Sequence, residues 1–294
     1  MNRRTFIESS VAAAVVTAAT ANSTWAAAVH HIDRIGLQLY TVRELMKQDF
    51  DRTIAAVAKI GYKEVEFAGY FGKSPKEARA AIDANGLSSP SAHHPIDALE
   101  NKLPEIIDGA HIIGQKFIVC PYLDAKMRTA DGYKHLAESC NHIGEATQKA
   151  GIQLCYHNHS FEFEKVEGLD GKLPFDYLLA QTNPKLVKIE MDLCWMTVAG
   201  QDPIAYFNKY PGRFPLVHVK DWTNEGTGSR AYEGAVGHPV TGHITNVGSG
   251  TIDWKKIFAQ SGKAGIHHYF VENDDAKSLD DPRASYEYLS KLTF

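Results

Sequence analysis

The chain has 294 residues, with 31 Lys and Arg against 35 Asp and Glu, a net charge of -4 and 44% hydrophobic residues. That balance is ordinary for a globular protein and leaves no basic footprint for nucleic acid. The four cysteines, Cys120, Cys140, Cys155 and Cys194, form no CxxC pair. A chain of this size needs no disulfide scaffold, so buried free thiols are expected.

The first segment reads as a targeting signal. Met1-Asn2-Arg3-Arg4-Thr5-Phe6-Ile7 is followed by a small, apolar stretch from Val11 to Ala21, and Ala26-Ala27-Ala28 offers a small-residue cleavage site. A basic start, a short apolar core and an Ala-x-Ala end suit a cleavable export signal, and the apolar stretch is short for a bilayer. Paired arginines before an aromatic residue resemble a bacterial twin-arginine signal. The expectation is residues 1–28 as signal, periplasmic delivery with no stable membrane insertion after cleavage, and 29–294 as one domain. The remaining length, roughly 265 residues, suits a single α/β barrel of ~250 residues.

From residue 34 two textures alternate. Short apolar, β-branched or aromatic runs at 35–42, 64–68, 89–93, 116–121, 152–159, 186–193, 216–222 and 268–273 predict strands. Longer amphipathic segments at 51–59, 75–85, 103–113, 131–150, 174–181, 203–210, 254–261 and 285–292 predict helices. Gly61, Gly86, Gly114, Gly151 and Gly265 punctuate helix ends. Eight such pairs without a linker predict right-handed βαβ units closed into a (β/α)8 TIM barrel, an α/β fold. A doubly wound open sheet would carry a phosphate-binding glycine-rich turn after an early strand, and Ile35-Gly36-Leu37 is not one. Pro90 makes the third strand the weakest of the eight.

In such barrels chemistry sits where strands end. The runs end, in order, with Gln38 and Tyr40; Glu64 and Glu66; His93-His94; Tyr156-His157-Asn158-His159 leading to Glu162; Glu190 and Asp192; His218 and Lys220; and Glu272 with Asp274. A closed barrel turns these ends toward one another. Carboxylates brought together repel unless a cation intervenes. Mixed carboxylate and imidazole donors suit Mn, Co, Fe or Zn, or Mg if imidazole contributes little, and the absence of thiolate argues against a structural zinc site. Simpler roles exist for each residue: Asp192 as a helix cap, His218 as a core histidine, Glu272 as a partner of Lys220. Glu190 is read as a bystander.

Taken together, Tyr156-His157-Asn158-His159, Phe161-Glu162-Phe163, Met191-Asp192, His218-Val219-Lys220-Asp221, the segment Val247-Gly248-Ser249-Gly250-Thr251-Ile252-Asp253-Trp254, and Val271-Glu272 resemble the xylose-isomerase-like TIM-barrel superfamily of sugar isomerases and epimerases. Its branches include tagatose-type epimerases, inosose dehydratase and apurinic endonucleases. The likeness runs from Ile35 to the end and is not specific to one reaction. It implies a divalent metal ion held by Asp192, His218, Glu272 and a fourth ligand from the fifth strand. There the sequence departs from the pattern: His157 occupies the usual glutamate position, and Glu162 lies farther on. Glu162 is taken as the fourth ligand, with His157 the alternative, which leaves His159 a substrate-facing or supporting group.

The resemblance further implies a small-molecule sugar substrate, with Glu162 and Glu272 moving protons next to a carbonyl. Lys220, His159 and His93 are additional acids or oxyanion stabilisers, while His93, His157, Tyr40 and Trp195 contact the sugar. Trp195, Trp222 and Tyr40 have core packing as their other role. The leading expectation is a sugar or keto-sugar isomerase or epimerase. A lyase, hydrolase or dehydratase acting on 3-keto-glycosides comes next, and a non-catalytic sugar-binding barrel is the alternative of another class. An apurinic endonuclease is disfavoured by the acidic charge.

Overall fold

In the computed structural model, which describes residues 30–224, 230–232 and 240–294, all eight expected strands form and close into one parallel barrel. The expected export signal lies outside the described residues. The barrel strands are β1 Ile35–Gln38, β2 Glu64–Phe67, β3 Ser88–His93, β4 Phe117–Cys120, β5 Gln153–His157, β6 Val187–Asp192 and β7 Leu216–Val219. Three short strands follow, β8 Asp221–Thr223, β9 Arg230–Tyr232 and β10 Val240–Thr245, before the last barrel strand, β11 His268–Val271. Each barrel strand pairs with its neighbours in sequence, and Leu37 of β1 closes the ring between Val65 and Val271.

Strand alternation sorts side chains into two layers. Leu37, Val65, Ile118, Leu154, Ile189 and Val217 face outward and join the large core under the helices. Alternate positions point inward, where Val119, Cys155, Leu216 and Phe270 form a separate apolar cluster. Gly36 permits that filling: a Cβ there would lie 2.4 Å from the Phe270 ring. The polar residues at the strand ends lie on the same inward faces. All four cysteines are buried and free, as expected.

Pro90 is accommodated by a register shift. Glu64 pairs with Ser88 and Glu66 with Ser91, so β3 carries one extra residue around the proline. The run 216–222 is divided rather than continuous. β7 stops at Val219, and β8 leaves the barrel to pair antiparallel with β10. The cause is Asp221, whose carboxylate accepts from the backbone N–H of Trp222, Gly248, Gly250 and Ile252 and from the Trp254 indole at 3.0 Å. The glycine-rich segment after β10 is therefore wrapped around one buried charge. Two helices also differ from expectation. The segment 254–261 breaks into Trp254–Phe258 and Ser261–Ala264, and the last helix runs Asp280–Leu289, starting where two acidic residues favour its N-terminus.

Candidate active site

Two layers of ionisable side chains sit above the apolar filling. The inner one joins Glu66, His93, Glu190 and His218. His218 Nε2 is 2.8 Å from Glu66 Oε2 and 3.3 Å from Glu190 Oε2. His93 Nε2 is 2.8 Å from Glu190 Oε2 and 3.2 Å from Glu66 Oε2. Gln38 Nε2 donates to Glu66 Oε2 at 2.7 Å. Glu190 is thus no bystander. Residues two apart on a strand share a face, so Glu190 points inward with Asp192. The charges in this layer offset one another. Burial pushes Glu66 up, but the His93 and His218 imidazoles outweigh it and hold its carboxyl well below the usual range. Burial and the Glu66 carboxylate raise Glu190 to about 7. Burial disfavours a charged His93, yet Glu66 and Glu190 raise it to about 9.

The outer layer joins His157, Asp192, His218 and Glu272, whose donor atoms all lie within 4.8 Å of one another. His218 Nδ1 is 3.0 Å from His157 Nε2 and 2.9 Å from Glu272 Oε2. Asp192 Oδ2 is 3.6 Å from His157 Nε2. The far nitrogens explain which way the rings present themselves. His157 Nδ1 faces the Pro121 carbonyl at 3.2 Å, and His218 Nε2 faces the Glu66 carboxylate at 2.8 Å. An N–H on each far nitrogen turns the two near nitrogens toward one another. Burial disfavours a charged His218, but Glu190, Glu272 and Glu66 outweigh it, so its Nδ1–H lies between His157 and Glu272. A cation bound there would displace that proton, and the two imidazole nitrogens with the two carboxylates are then a donor set that fits a divalent transition metal. Asp192 also serves as a helix cap: its Oδ1 accepts from the Trp195 N–H at 2.8 Å, while the buried Oδ2 accepts no well-directed hydrogen bond and turns to the cluster.

Lys220 lies behind this set, buried, with Nζ 3.1 Å from Asp192 Oδ2, 2.8 Å from Glu272 Oε2 and 2.7 Å from Asp274 Oδ2. Burial opposes its charge, but Asp192, Asp274 and Glu272 outweigh that and hold the ammonium well above its ordinary value. In return Lys220 is the main cause that brings Asp192 down to about 2 against burial. Lys220 and a divalent cation would share Asp192 and Glu272, and Asp274 gives the ammonium a carboxylate of its own.

The structure brings Asp192, His218, Glu272 and His157 together and places Glu162 elsewhere. Tyr156 faces outward from β5, and Glu162 follows it, accepting from the Tyr156 hydroxyl at 2.5 Å and from the His159 N–H at 2.8 Å. It braces the turn after β5, and burial raises it to about 7. His159 stacks on Phe161 and, at 6.1 Å, on Trp195, and burial, with His157 and Lys220, keeps it neutral. Trp222 packs in the three-stranded sheet against Gly242. A cleft of about 620 Å³ opens over the site, lined by His93, His157, His159 and Glu272 at its base and by Tyr40 and Tyr122 among others. Glu66, Asp274 and Tyr122 carried no assigned role in the sequence. Glu66 was legible from its spacing, because it lies two residues from Glu64 at the end of an inward face.

Residues 54–290 match the family of xylose isomerase-like TIM barrels. The chain belongs to that family. It is 24% identical over 255 residues to an inosose dehydratase of Lacticaseibacillus casei, covering 78% of this chain and 84% of the relative. A sugar phosphate isomerase/epimerase of Parabacteroides distasonis superposes with a TM-score of 0.71 at 26% identity, over 87% of this chain and 93% of the other. A 3-keto-D-glucoside 4-epimerase of E. coli shares the fold with a TM-score of 0.62 at 17% identity, over 88% and 99%. These relatives are enzymes, and this family member is an enzyme too.

Proposed function

We propose that this protein removes a proton beside the carbonyl of a sugar or keto-sugar, with a divalent metal ion held by His157, Asp192, His218 and Glu272. The observation that carries the reading is the gathering of four donor atoms within 4.8 Å of one another, two of them, from His157 and Glu272, on residues that line the cleft. His157 replaces Glu162 in the ligand set, because its lone pair, fixed by Pro121, faces His218 and Asp192. Two imidazoles favour Mn, Co, Fe or Zn over Mg. When bound there, the cation polarises the substrate carbonyl and anchors a neighbouring hydroxyl.

The protein's own groups divide the remaining work. Glu272 is ionised, with Lys220 and His218 outweighing burial, and it lines the cleft as the base. Neutral His159 lines the same cleft and can hand a proton to, or take one from, another face of the sugar. Glu66 accepts from His218 Nε2 and so orients that ring without touching substrate. Lys220 fixes the Glu272 and Asp274 carboxylates relative to each other.

Return of the proton to the neighbouring carbon isomerises the sugar, and return to the opposite face epimerises it. Loss of a β-hydroxyl, carrying away the proton that an acid supplies, dehydrates it instead. The inosose dehydratases among the relatives favour dehydration as strongly as the sugar phosphate isomerase/epimerase favours return of the proton. The test is incubation of metal-loaded protein with sugars and 3-keto-sugars in deuterated water, followed by NMR. Deuterium at the carbon beside the carbonyl supports the shared first step, and the product separates the outcomes. No exchange with any substrate, metal-loaded or stripped, would remove the reading.

A further inference from the structure

The cleft is chemically divided along its depth. Its floor is polar, carrying His157, Glu272, Asp274 and His93, while its rim carries Tyr40, Tyr122, Pro95 and Pro121. Among the described residues, three large hydrophobic side chains are exposed, and two of them, Tyr40 at 43% and Tyr122 at 42%, are at this rim. A lone exposed aromatic requires no explanation, but two on the rim of one cleft form an apolar feature that water serves poorly.

Both rings are held rather than loose. The Arg43 guanidinium covers one face of Tyr40 at 4.2 Å from the ring centroid and is itself tied to the Tyr40 and Asp274 carbonyls. Tyr122 stands edge-on to His159 at 5.1 Å and to Phe161 at 5.5 Å, and its hydroxyl accepts from Arg128. Arg128 in turn lies over the Phe161 ring at 3.5 Å. Each tyrosine thus has a fixed orientation and an open surface toward the cleft. An aromatic prepaid in this way loses little freedom on receiving a flat apolar partner. From the floor outward, His157, His159 and Tyr122 follow one another in ring contact, with His157 and His159 4.9 Å apart. The rim is therefore continuous with the proposed metal site.

We propose that the cleft accepts substrates of two rings: a reacting sugar ring on the polar floor and a second ring, an aglycone or another sugar, against Tyr40 and Tyr122 at the rim. This rests on the sugar reading of the floor and adds the substrate class, glycosides rather than free monosaccharides. Tyr40 and Tyr122 are then specificity-determining residues that contact the second ring.

The test uses unreactive probes, methyl and phenyl glucopyranosides of both anomers, with dissociation constants read by NMR titration of the metal-loaded protein. The phenyl glucoside should bind about tenfold tighter than the methyl glucoside, the worth of one good aromatic contact. Tyr122→Ala and Tyr40→Ala should each bring the ratio of the two constants toward one. Both side chains are exposed, so the variants should melt near the wild-type temperature. Equal binding of the two glucosides to wild type, or an unchanged ratio in both variants, would overturn the proposal while leaving the sugar reading in place. Binding of neither glucoside would take down the sugar reading and the proposal with it.

Discussion

Glu66→Gln probes the part of the site furthest from any substrate. Glu66 is fully buried, takes no part in lining the cleft, and is joined to His218 Nε2 at 2.8 Å and to Gln38 Nε2 at 2.7 Å. Glutamine has the same shape, so it keeps an oxygen for His218 and leaves packing undisturbed. What it removes is the negative charge that fixes the proton on Nε2 and makes the Nδ1 lone pair more basic. Loss of such an outer carboxylate typically weakens metal affinity by about 10- to 100-fold, or about 1.4 to 2.7 kcal/mol. The structure places the expectation toward the upper end, since His93 and Gln38 were both arranged around the same oxygen and must re-pair. The assay is competition for Mn or Co against a chelator of known affinity, run beside a melting curve. An unchanged metal affinity in a stably folded variant would refute the claim that Glu66 orients a ligand. Two ions per chain in wild type, one of them lost in Glu66→Gln, would refute it differently, by making the inner layer a site in its own right.

Three further outcomes follow from the geometry and one from the sequence. His157→Ala should strip the metal, while Glu162→Gln should retain it, as measured by metal content of the purified variants; the reverse would restore Glu162 to the ligand set. Glu272→Gln should keep part of the metal and lose at least about 10²- to 10⁴-fold in turnover on whichever substrate exchanges deuterium, the usual share of general acid–base catalysis. Glu162 also makes a prediction for pH. Its carboxyl is lifted from 4.5 to about 7, so the folded state holds that proton more tightly than the unfolded one. The stability it contributes is fully present below pH 4.5 and is lost as pH rises through about 7, a change of about 3 kcal/mol. Denaturant unfolding of wild type and Glu162→Gln across that window should show the variant gaining by this amount, and parallel profiles would contradict it. Finally, we propose export: Arg3→Lys with Arg4→Lys should retain the precursor in the cytoplasm, and mature protein should begin near Val29 by N-terminal sequencing.

Asp192, His218 and Glu272 were legible in the sequence for a physical reason. Each ends an otherwise apolar run, and closing eight parallel strands brings such ends together whatever the loops do. Glu190 was equally legible, because a strand's period of two puts it on the face of Asp192. The same period builds the whole inner layer, since Glu190 and Glu66 enter it by one rule. The division of 216–222 was harder to foresee. Nothing in a run of Leu, Val and His shows that the aspartate at its end will gather amides from a glycine-rich segment almost thirty residues away and turn the chain out of the barrel. The choice between His157 and Glu162 marks the boundary between the two cases. A carboxylate is the better ligand by charge, and composition alone favours Glu162. But β5 ends at His157, which keeps the inward phase of Cys155, while Glu162 lies beyond the strand in a turn whose direction no periodicity encodes. There the outward-facing Tyr156 captures it first. At strand ends position therefore decides over chemistry: a weaker donor held on the right face is available to a metal, and a stronger one anchored outside the barrel is not.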